Sequence, residues 1–221
     1  MVLEKTVREL RGIDCIGAAE GEDMPSAKLQ ILVSRSFGKA VTEVQAIVEA
    51  VSEFASRAAE KLRQQGSVAG AVQVFFTTSP FREHDRQHSP SAVIPLRPTA
   101  DSRRLVGAAA GAARSLFRPG FNYAKAGVML MDLQARESAT RQGELDLFSN
   151  ADAQPGHTQD RAALMQAMDA LNRRFGRDAV RIGSASSAVA NDSGTASWSV
   201  KSERRSARYT TRWDEMPVVT A

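Results

Sequence analysis

The sequence predicts an α+β fold, in which a βαββαβ domain forms a four-stranded sheet with two helices on one face and a small C-terminal α/β appendage follows. Two observations predict it. Between residues 28 and 134 the spacing of apolar residues changes twice from every second residue to every third or fourth, and back. The resulting order of elements is a split βαβ arrangement, which buries two helices on one face of its sheet and leaves the other face open.

The first strand and the first helix follow one another closely. Residues 29–33 alternate apolar and polar side chains and lead into residues 34–38, a pattern typical of a strand that ends in a glycine turn. From residue 42 to residue 62 apolar side chains recur at every third or fourth position, which predicts a long amphipathic helix. Thr42 and Gln45 have the spacing of a capping box, and a glycine stands just past the helix end.

The remaining elements of this domain are predicted strands at residues 71–78, 91–96 and 121–133 and a predicted helix at residues 101–117. Gly107 and Gly111 in the second helix are expected to let its backbone pack closely on the sheet. In the appendage, residues 160–175 form a predicted amphipathic helix. It carries Leu164, Met168, Leu171 and Phe175 on one stripe, and Gly176 is its C-cap.

Composition narrows the class of protein. The chain has 221 residues with 43% hydrophobic and 24% charged side chains, which fits one ordinary domain plus a smaller appendage. One cysteine and three scattered histidines exclude an internal disulfide and give no metal-ligand spacing, so no cofactor or metal is predicted. The first thirty residues do not resemble a signal peptide, and no apolar run is long enough to cross a bilayer. We therefore expect a cytoplasmic protein without a membrane partner.

The charge is unevenly distributed. Residues 28–134 hold 14 basic against 8 acidic side chains, an excess expected of a domain that lies along phosphates, although solvated helix faces produce many such excesses. Trp198 and Trp213 are predicted to belong to the core of the appendage rather than to serve as base-stacking platforms.

A short peptide in the polar segment 135–156 is the most informative motif. Glu144, Leu145, Asp146, Leu147 and Phe148 place three apolar side chains where no amphipathic helix or strand surrounds them. An extended peptide with apolar anchors is what the groove of a partner protein recognises. The alternative is that the triplet packs locally against the preceding domain.

Six ordered blocks give the chain a resemblance to the C-terminal half of UmuC-type Y-family translesion DNA polymerases. The blocks are residues 2–12 (VLEKTVRELRG), 34–38 (SRSFG), 58–63 (AAEKLR), 77–81 (TTSPF), 125–130 (KAGVML) and 208–213 (RYTTRW). The resemblance implies four segments. They are a remnant of the thumb-to-finger junction at residues 1–27, the DNA-gripping little finger at 28–134, a linker at 135–156 and a UmuC-type C-terminal extension at 157–221.

For the linker peptide the resemblance implies binding to the sliding clamp through residues 144–148. Glu144 departs from the family pattern, which prefers glutamine. A carboxylate only accepts hydrogen bonds, whereas an amide also donates them, so we expect weakened rather than abolished binding. The family's catalytic palm carboxylates, which hold two magnesium ions, lie upstream of the first block. We therefore expect that this chain alone does not polymerise DNA.

The resemblance, combined with side-chain chemistry, gives a set of DNA-contact candidates that would bind backbone phosphates without reading bases. They are Arg35, Ser36, Thr77, Thr78, Ser79, Arg97 and Lys125. The expected partners are primer-template or damaged DNA and the sliding clamp, with UmuD′ and the RecA filament as candidates for the extension. Such a protein would be nucleoid-associated and would act in the SOS response.

Two other functions stay open. The chain is alternatively a truncated UmuC-like interaction fragment, which binds a protein partner or competes with intact polymerases without significant DNA binding. RNA binding is a more distant alternative, because the strands lack the paired exposed aromatic residues that stack bases in RNA-binding domains of this topology.

Overall fold

The structure is a computed structural model that describes residues 4, 7–8, 10–12, 28–82, 85–136, 161–176, 178–185, 198–199, 212 and 214. Strands and helices follow one another in the predicted order: β1 (Ile31–Val41), α1 (Val44–Gln64), β2 (Ser67–Thr78), β3 (Ser91–Thr99), α2 (Ser102–Leu116) and β4 (Tyr123–Ala135). A third helix, α3 (Ala162–Phe175), and a short 3-10 turn (Gly183–Ala185) follow. Within the described part of the chain, none of these helices combines the length and apolar character needed to span a membrane.

The four strands form one antiparallel sheet in the order β1-β4-β2-β3. Because β1 and β2 both run antiparallel to β4, they are parallel to each other with β4 inserted between them. The same relation holds for β3 and β4 around β2. Two interlocked split βαβ units therefore build the sheet, which confirms the predicted α+β arrangement.

The core lies between one face of the sheet and the paired helices α1 and α2. Alternate strand residues such as Val72, Val74 and Phe76 point into it and are fully buried, as are Phe54 and Leu62 of α1. Each fully buried side chain of this size contributes roughly 1.5–3 kcal/mol of burial free energy. Helix α2 supplies small alanines, which allow it to pack closely beside α1.

The start of the domain differs from the prediction in two details. The expected glycine turn at residues 34–38 is absent, because β1 continues through Gly38 to Val41 with a register shift against β4. The capping box is not formed either. Helix α1 begins at Val44 with Glu43 as a cap that makes no side-chain bond, and Gln45 instead donates to Glu49. Strand β1 is therefore longer than the alternation of apolar and polar residues predicted.

The glycine pair in α2 has a different role from the predicted one. A Cβ added at Gly107 or Gly111 would meet no atom within 4 Å, so both glycines face open space. The buried side of α2 includes Leu105, Ala109 and Ala113, each fully buried. The interpretation of the pair as a close-packing motif was therefore wrong. Asp101 caps the helix by accepting a hydrogen bond from the backbone N–H of Arg103 at 2.8 Å.

The described part of the C-terminal extension packs on the helical side of the domain. Trp198 meets the ring of Phe54 edge to face, with centroids 5.6 Å apart, and the backbone N–H of Gly38 donates to the carbonyl of Ser199 at 3.1 Å. Trp198 is partly buried and packs against the core of residues 31–130, whereas the sequence-based prediction placed it in a core of the appendage. Trp213 lies outside the described residues.

Candidate nucleic-acid interface

The two faces of the sheet differ in what covers them. Side chains that are directly opposite one another in an antiparallel pair point to the same face. One set of rows, which includes Ile31 opposite Leu130 and Val74 opposite Val128, is buried under α1 and α2. The alternate rows form the other face. We call this the open face; Leu32 and Val93, at its two edges, are each 52% exposed.

One row of the open face brings three predicted contact residues together. Lys125 on β4 is directly opposite Ser36 on β1 and Thr77 on β2. Ser36 and Lys125 are exposed and Thr77 is half-buried. A cation flanked by two hydroxyls on a rigid sheet is suited to a phosphate, because the cation supplies the charge and the hydroxyls donate hydrogen bonds. The pairing of these strands was not available from the sequence.

The neighbouring row holds an aromatic ring against the sheet. Gly127 on β4 is opposite Ser34 on β1 and Phe75 on β2. A Cβ at Gly127 would lie 2.4 Å from the ring of Phe75 and 2.7 Å from the Cβ of Ser34. The missing side chain therefore lets the ring of Phe75 lie across β4 next to the Lys125 row. The DNA-contact residues predicted from the sequence did not include Phe75. The alternation within β2 nevertheless places Phe75 on the same face as Thr77.

Substituting Gly127 by alanine is expected to destabilise the sheet and displace Phe75. The new methyl group would meet rigid neighbours, and such overpacking costs typically about 1–3 kcal/mol of unfolding free energy. Urea unfolding measures this loss. Gly111→Ala is the matched control, because it faces open space in a helix and is expected to stabilise the protein by up to about 1 kcal/mol. Equal stability of Gly127→Ala and the natural protein would contradict the placement of Phe75.

A polar and aromatic network closes the end of the sheet beside Lys125. The hydroxyl of Tyr123 lies 2.8 Å from Nδ1 of His88 and 3.2 Å from the carbonyl of Arg118. Burial and the nearby guanidinium of Arg118 lower the pKa of His88. Burial raises the pKa of Tyr123, against the opposing effect of its bond to the Arg118 backbone. Both shifts favour the neutral form of the ring.

Two further cations border this end of the sheet. The guanidinium of Arg86 lies 5.1 Å from the ring centroid of Phe121, and that ring stacks on His88 with centroids 4.6 Å apart. The exposed Arg118 follows α2 and stands beside the same network. With Lys125 they place three basic residues around one end of the sheet. The sequence indicated a charged loop at residues 82–88 but did not link it to the candidate interface.

The other predicted contact residues are dispersed. Arg35 is opposite Ala126, in a buried row, and reaches solvent at the sheet edge beside Arg57 and Lys61 of α1. Thr78 is 3% exposed, and its hydroxyl donates to Gln87 at 2.8 Å.

Ser79 lies just past β2, and its carbonyl accepts from the side chain of Gln87 at 3.0 Å. Arg97 lies within β3 rather than past it. It stands near the far end of the sheet, beyond the row that joins Pro95 to Ala71. That row is six residues along β2 from Thr77, or roughly 20 Å at 3.3 Å per residue.

The clamp-binding candidate, residues 144–148, falls outside the described residues, in the connection between β4 and α3. Among the residues that the structure describes, no group of three or more histidine, cysteine or acidic side chains is placed to hold a metal ion.

Two family models match the chain. Residues 28–145 match the impB/mucB/samB family C-terminal domain, which covers the whole sheet and both of its helices. Residues 162–219 match a domain of unknown function, DUF4113, which begins at the first residue of α3.

Curated relatives show the same similarity over almost the full length of this chain. Protein MucB of Salmonella typhimurium is 39% identical over 221 residues, which is 100% of this chain and 48% of that protein. Protein UmuC of Salmonella typhimurium strain LT2 is 37% identical over 217 residues, or 98% of this chain and 47% of that protein. Protein ImpB of Salmonella typhimurium is 38% identical over 220 residues. The chain thus spans about half the length of the curated relatives it matches.

Proposed function

The chain belongs to the impB/mucB/samB family through the domain at residues 28–145, and we propose that it is the DNA-gripping part of a translesion DNA polymerase. The observation that carries the proposal is the open face, whose row of Ser36, Lys125 and Thr77 presents one cation and two hydroxyls at the end of the sheet that Arg86 and Arg118 border. These groups suit phosphates rather than bases, so the grip is independent of sequence.

The geometry favours a duplex lying across the sheet rather than a pocket for a small ligand. Among the described residues no helix covers the open face, whereas α1 and α2 fill the other face. Phe75 and Met129 add apolar surface beside the Lys125 row, which offers contact to sugars. Bound in this way, the chain holds primer-template DNA in place. We propose that it acts in the cytoplasm at the nucleoid.

The test is a titration of labelled primer-template DNA with the full chain at several salt concentrations, followed by fluorescence anisotropy. Each phosphate contact contributes about 0.9 to the slope of log K against log salt for duplex DNA, so three contacts predict a slope of about −2.7. Scrambling the DNA sequence is expected to leave the affinity unchanged. A slope near zero, or no binding at 50 mM salt, would favour the alternative of an interaction fragment without a DNA grip.

We propose a second binding function for residues 144–148, which is recruitment to the sliding clamp. The sequence supports it: Leu145, Leu147 and Phe148 are apolar anchors in a polar connection. Purified clamp immobilised on a sensor is expected to bind the full chain. The Leu147→Ala, Phe148→Ala double variant is expected to bind the clamp about tenfold or more weakly, because buried apolar anchors dominate such contacts.

Two controls make this test specific. The variant Ser149→Ala, Asn150→Ala changes the adjacent residues and is expected to bind normally. Glu144→Gln is expected to bind more tightly than the natural chain, because the amide donates a hydrogen bond that the carboxylate lacks. Equal clamp affinity of the natural chain and the double variant would remove the clamp proposal and leave the DNA proposal intact. UmuD′ and RecA are further proposed partners, for which the same sensor assay applies.

A further inference from the structure

One side of helix α3 packs against the domain formed by residues 28–136. The carboxylate of Asp169 forms two bonds with the guanidinium of Arg63, at 2.6 and 2.7 Å, and the Arg63 side chain is only 9% exposed. One turn earlier, Met165 is 3% exposed and its sulfur accepts from the backbone N–H of Ser102 at 3.4 Å. Because residues four apart lie on the same side of a helix, these contacts fix the rotation of α3 about its axis.

This rotation turns three of the four side chains in the apolar stripe of α3 toward solvent, whereas Met168 is half-buried. The sequence placed Leu164, Met168, Leu171 and Phe175 on one stripe, which in an amphipathic helix normally faces the core. In the structure Leu164 is 47%, Leu171 42% and Phe175 65% exposed. Rotating the helix to bury the stripe would break the Asp169–Arg63 pair and leave a guanidinium buried without a counter-ion. The outward stripe is thus held in place by polar contacts.

The segment after the helix enlarges the exposed apolar surface. The side-chain amide of Asn172 accepts from the N–H of Val180 at 2.7 Å and donates to its carbonyl at 3.0 Å. Val180 is 39% exposed, and with Met168 it lines a small cavity between α3 and α1. We call the surface formed by Leu164, Met168, Leu171, Phe175 and Val180 the α3 patch.

Basic side chains border the α3 patch. The guanidinium of Arg174 lies 5.2 Å from the ring centroid of Phe175, and the exposed Arg181 follows Val180 directly. The small cavity shared by Met168 and Val180 is also lined by four acidic side chains, all of them buried or half-buried: Glu53, Glu60, Asp169 and Asp178. Glu53 is paired with Arg57 and Asp169 with Arg63, whereas Arg174 and Arg181 are exposed. The exposed side of the patch is therefore basic.

We propose that the α3 patch is a docking surface for a partner protein segment that carries apolar side chains flanked by acidic ones. Apolar anchors would cover the leucines and Phe175, and carboxylates would meet Arg174 and Arg181. A second copy of this chain would bring arginine against arginine, so self-association through the patch is disfavoured. An anionic membrane would also accept an apolar stripe bordered by basic side chains, so vesicle binding is included as an outcome of the test.

The test uses the full chain and two fluorescein-labelled synthetic peptides of 18 residues. One peptide combines leucines at every third and fourth position with glutamates, and its sister has lysines in place of the glutamates. The variant Leu164→Glu, Leu171→Glu changes the α3 patch. The variant Ala163→Glu, Ala170→Glu makes the same charge change at exposed positions of α3 outside the patch. Urea unfolding of both variants verifies that they are folded.

The expected result is binding of the acidic peptide to the natural chain and to the alanine-site variant. Binding to the leucine-site variant is expected to be weaker by at least about tenfold, because two apolar contacts are lost and like charges are introduced. The basic peptide is expected not to bind. Absence of binding by the natural chain, equal binding by both variants, or preference for the basic peptide would overturn the proposal. Binding of phosphatidylserine vesicles with no binding of the acidic peptide would assign the patch to membranes and also overturn it.

Discussion

Replacing Asp169 by alanine is expected to lower the free energy of unfolding by about 2–3 kcal/mol, since removal of one partner of a buried ion pair strands the other charge. Arg63 is the stranded partner, and its side chain is 9% exposed. It would keep only its bonds to the carbonyl of Ala100 at 3.1 Å and the hydroxyl of Ser102 at 2.7 Å. The estimate is below the full value for a buried pair because the Asp169 side chain is 23% exposed. Urea unfolding monitored by circular dichroism measures the change.

Two further variants test whether the loss of stability comes from the Arg63–Asp169 ion pair or from substitution in general. Glu4→Ala removes a partner of Arg8 in an ion pair whose side chains are 57% and 63% exposed, and it is expected to cost less than about 0.5 kcal/mol. The double variant Arg63→Met, Asp169→Leu is expected to recover most of the stability, since an apolar pair replaces a buried ionic one without leaving a charge behind. A stability of Asp169→Ala within about 0.5 kcal/mol of the natural chain would show that α3 is not held by this pair.

Lys125→Glu is expected to give the largest loss of DNA affinity among single substitutions on the open face. It removes a phosphate contact and brings a negative charge to the centre of the row that joins Ser36 and Thr77. We expect at least about a tenfold loss at low salt and a salt slope smaller in magnitude by about 1, with the same loss for unrelated DNA sequences. Anisotropy titrations at 50 and 150 mM salt measure both quantities.

The matched control for this substitution is Arg103→Glu. Arg103 is exposed in the first turn of α2, on the helical side of the domain, so the change in net charge is the same but the location differs. A negative charge in the first turn is favourable to the helix, so the fold is retained. DNA affinity is expected to fall much less than for Lys125→Glu. Equal losses for the two variants would mean that net charge, rather than the open face, determines binding.

Most of the fold followed from the sequence because the apolar period changes clearly between strands and helices. The strand ends did not, since β1 runs through Gly38 with a register shift that only its pairing with β4 defines. The orientation of α3 was also unpredictable. Its period indicated the stripe, but the position of Arg63, 106 residues earlier in the chain, decides which side faces the domain.

The candidate interface was predicted in part for a related reason. The alternation of apolar and polar residues predicts which strand holds Ser36, Thr77 and Lys125. Only the pairing of β1 and β2 with β4 shows that the three residues lie side by side across the sheet. Thr78 was predicted to contact DNA but does not lie on the open face. Thr77 faces that side, whereas the hydroxyl of Thr78 donates a hydrogen bond to Gln87. Arg86 and Arg118 were missed because loops carry no periodicity that relates them to a strand end.

Binding of DNA to the open face of the sheet can be located with an NMR titration of the isotope-labelled full chain with primer-template DNA. The largest amide shifts are expected at Ser34 to Ser36, Thr77 and Lys125, with small shifts at Arg103 and Gly107 on the helical side. Shifts confined to the helices, or the absence of shifts at 50 mM salt, would contradict binding at the open face.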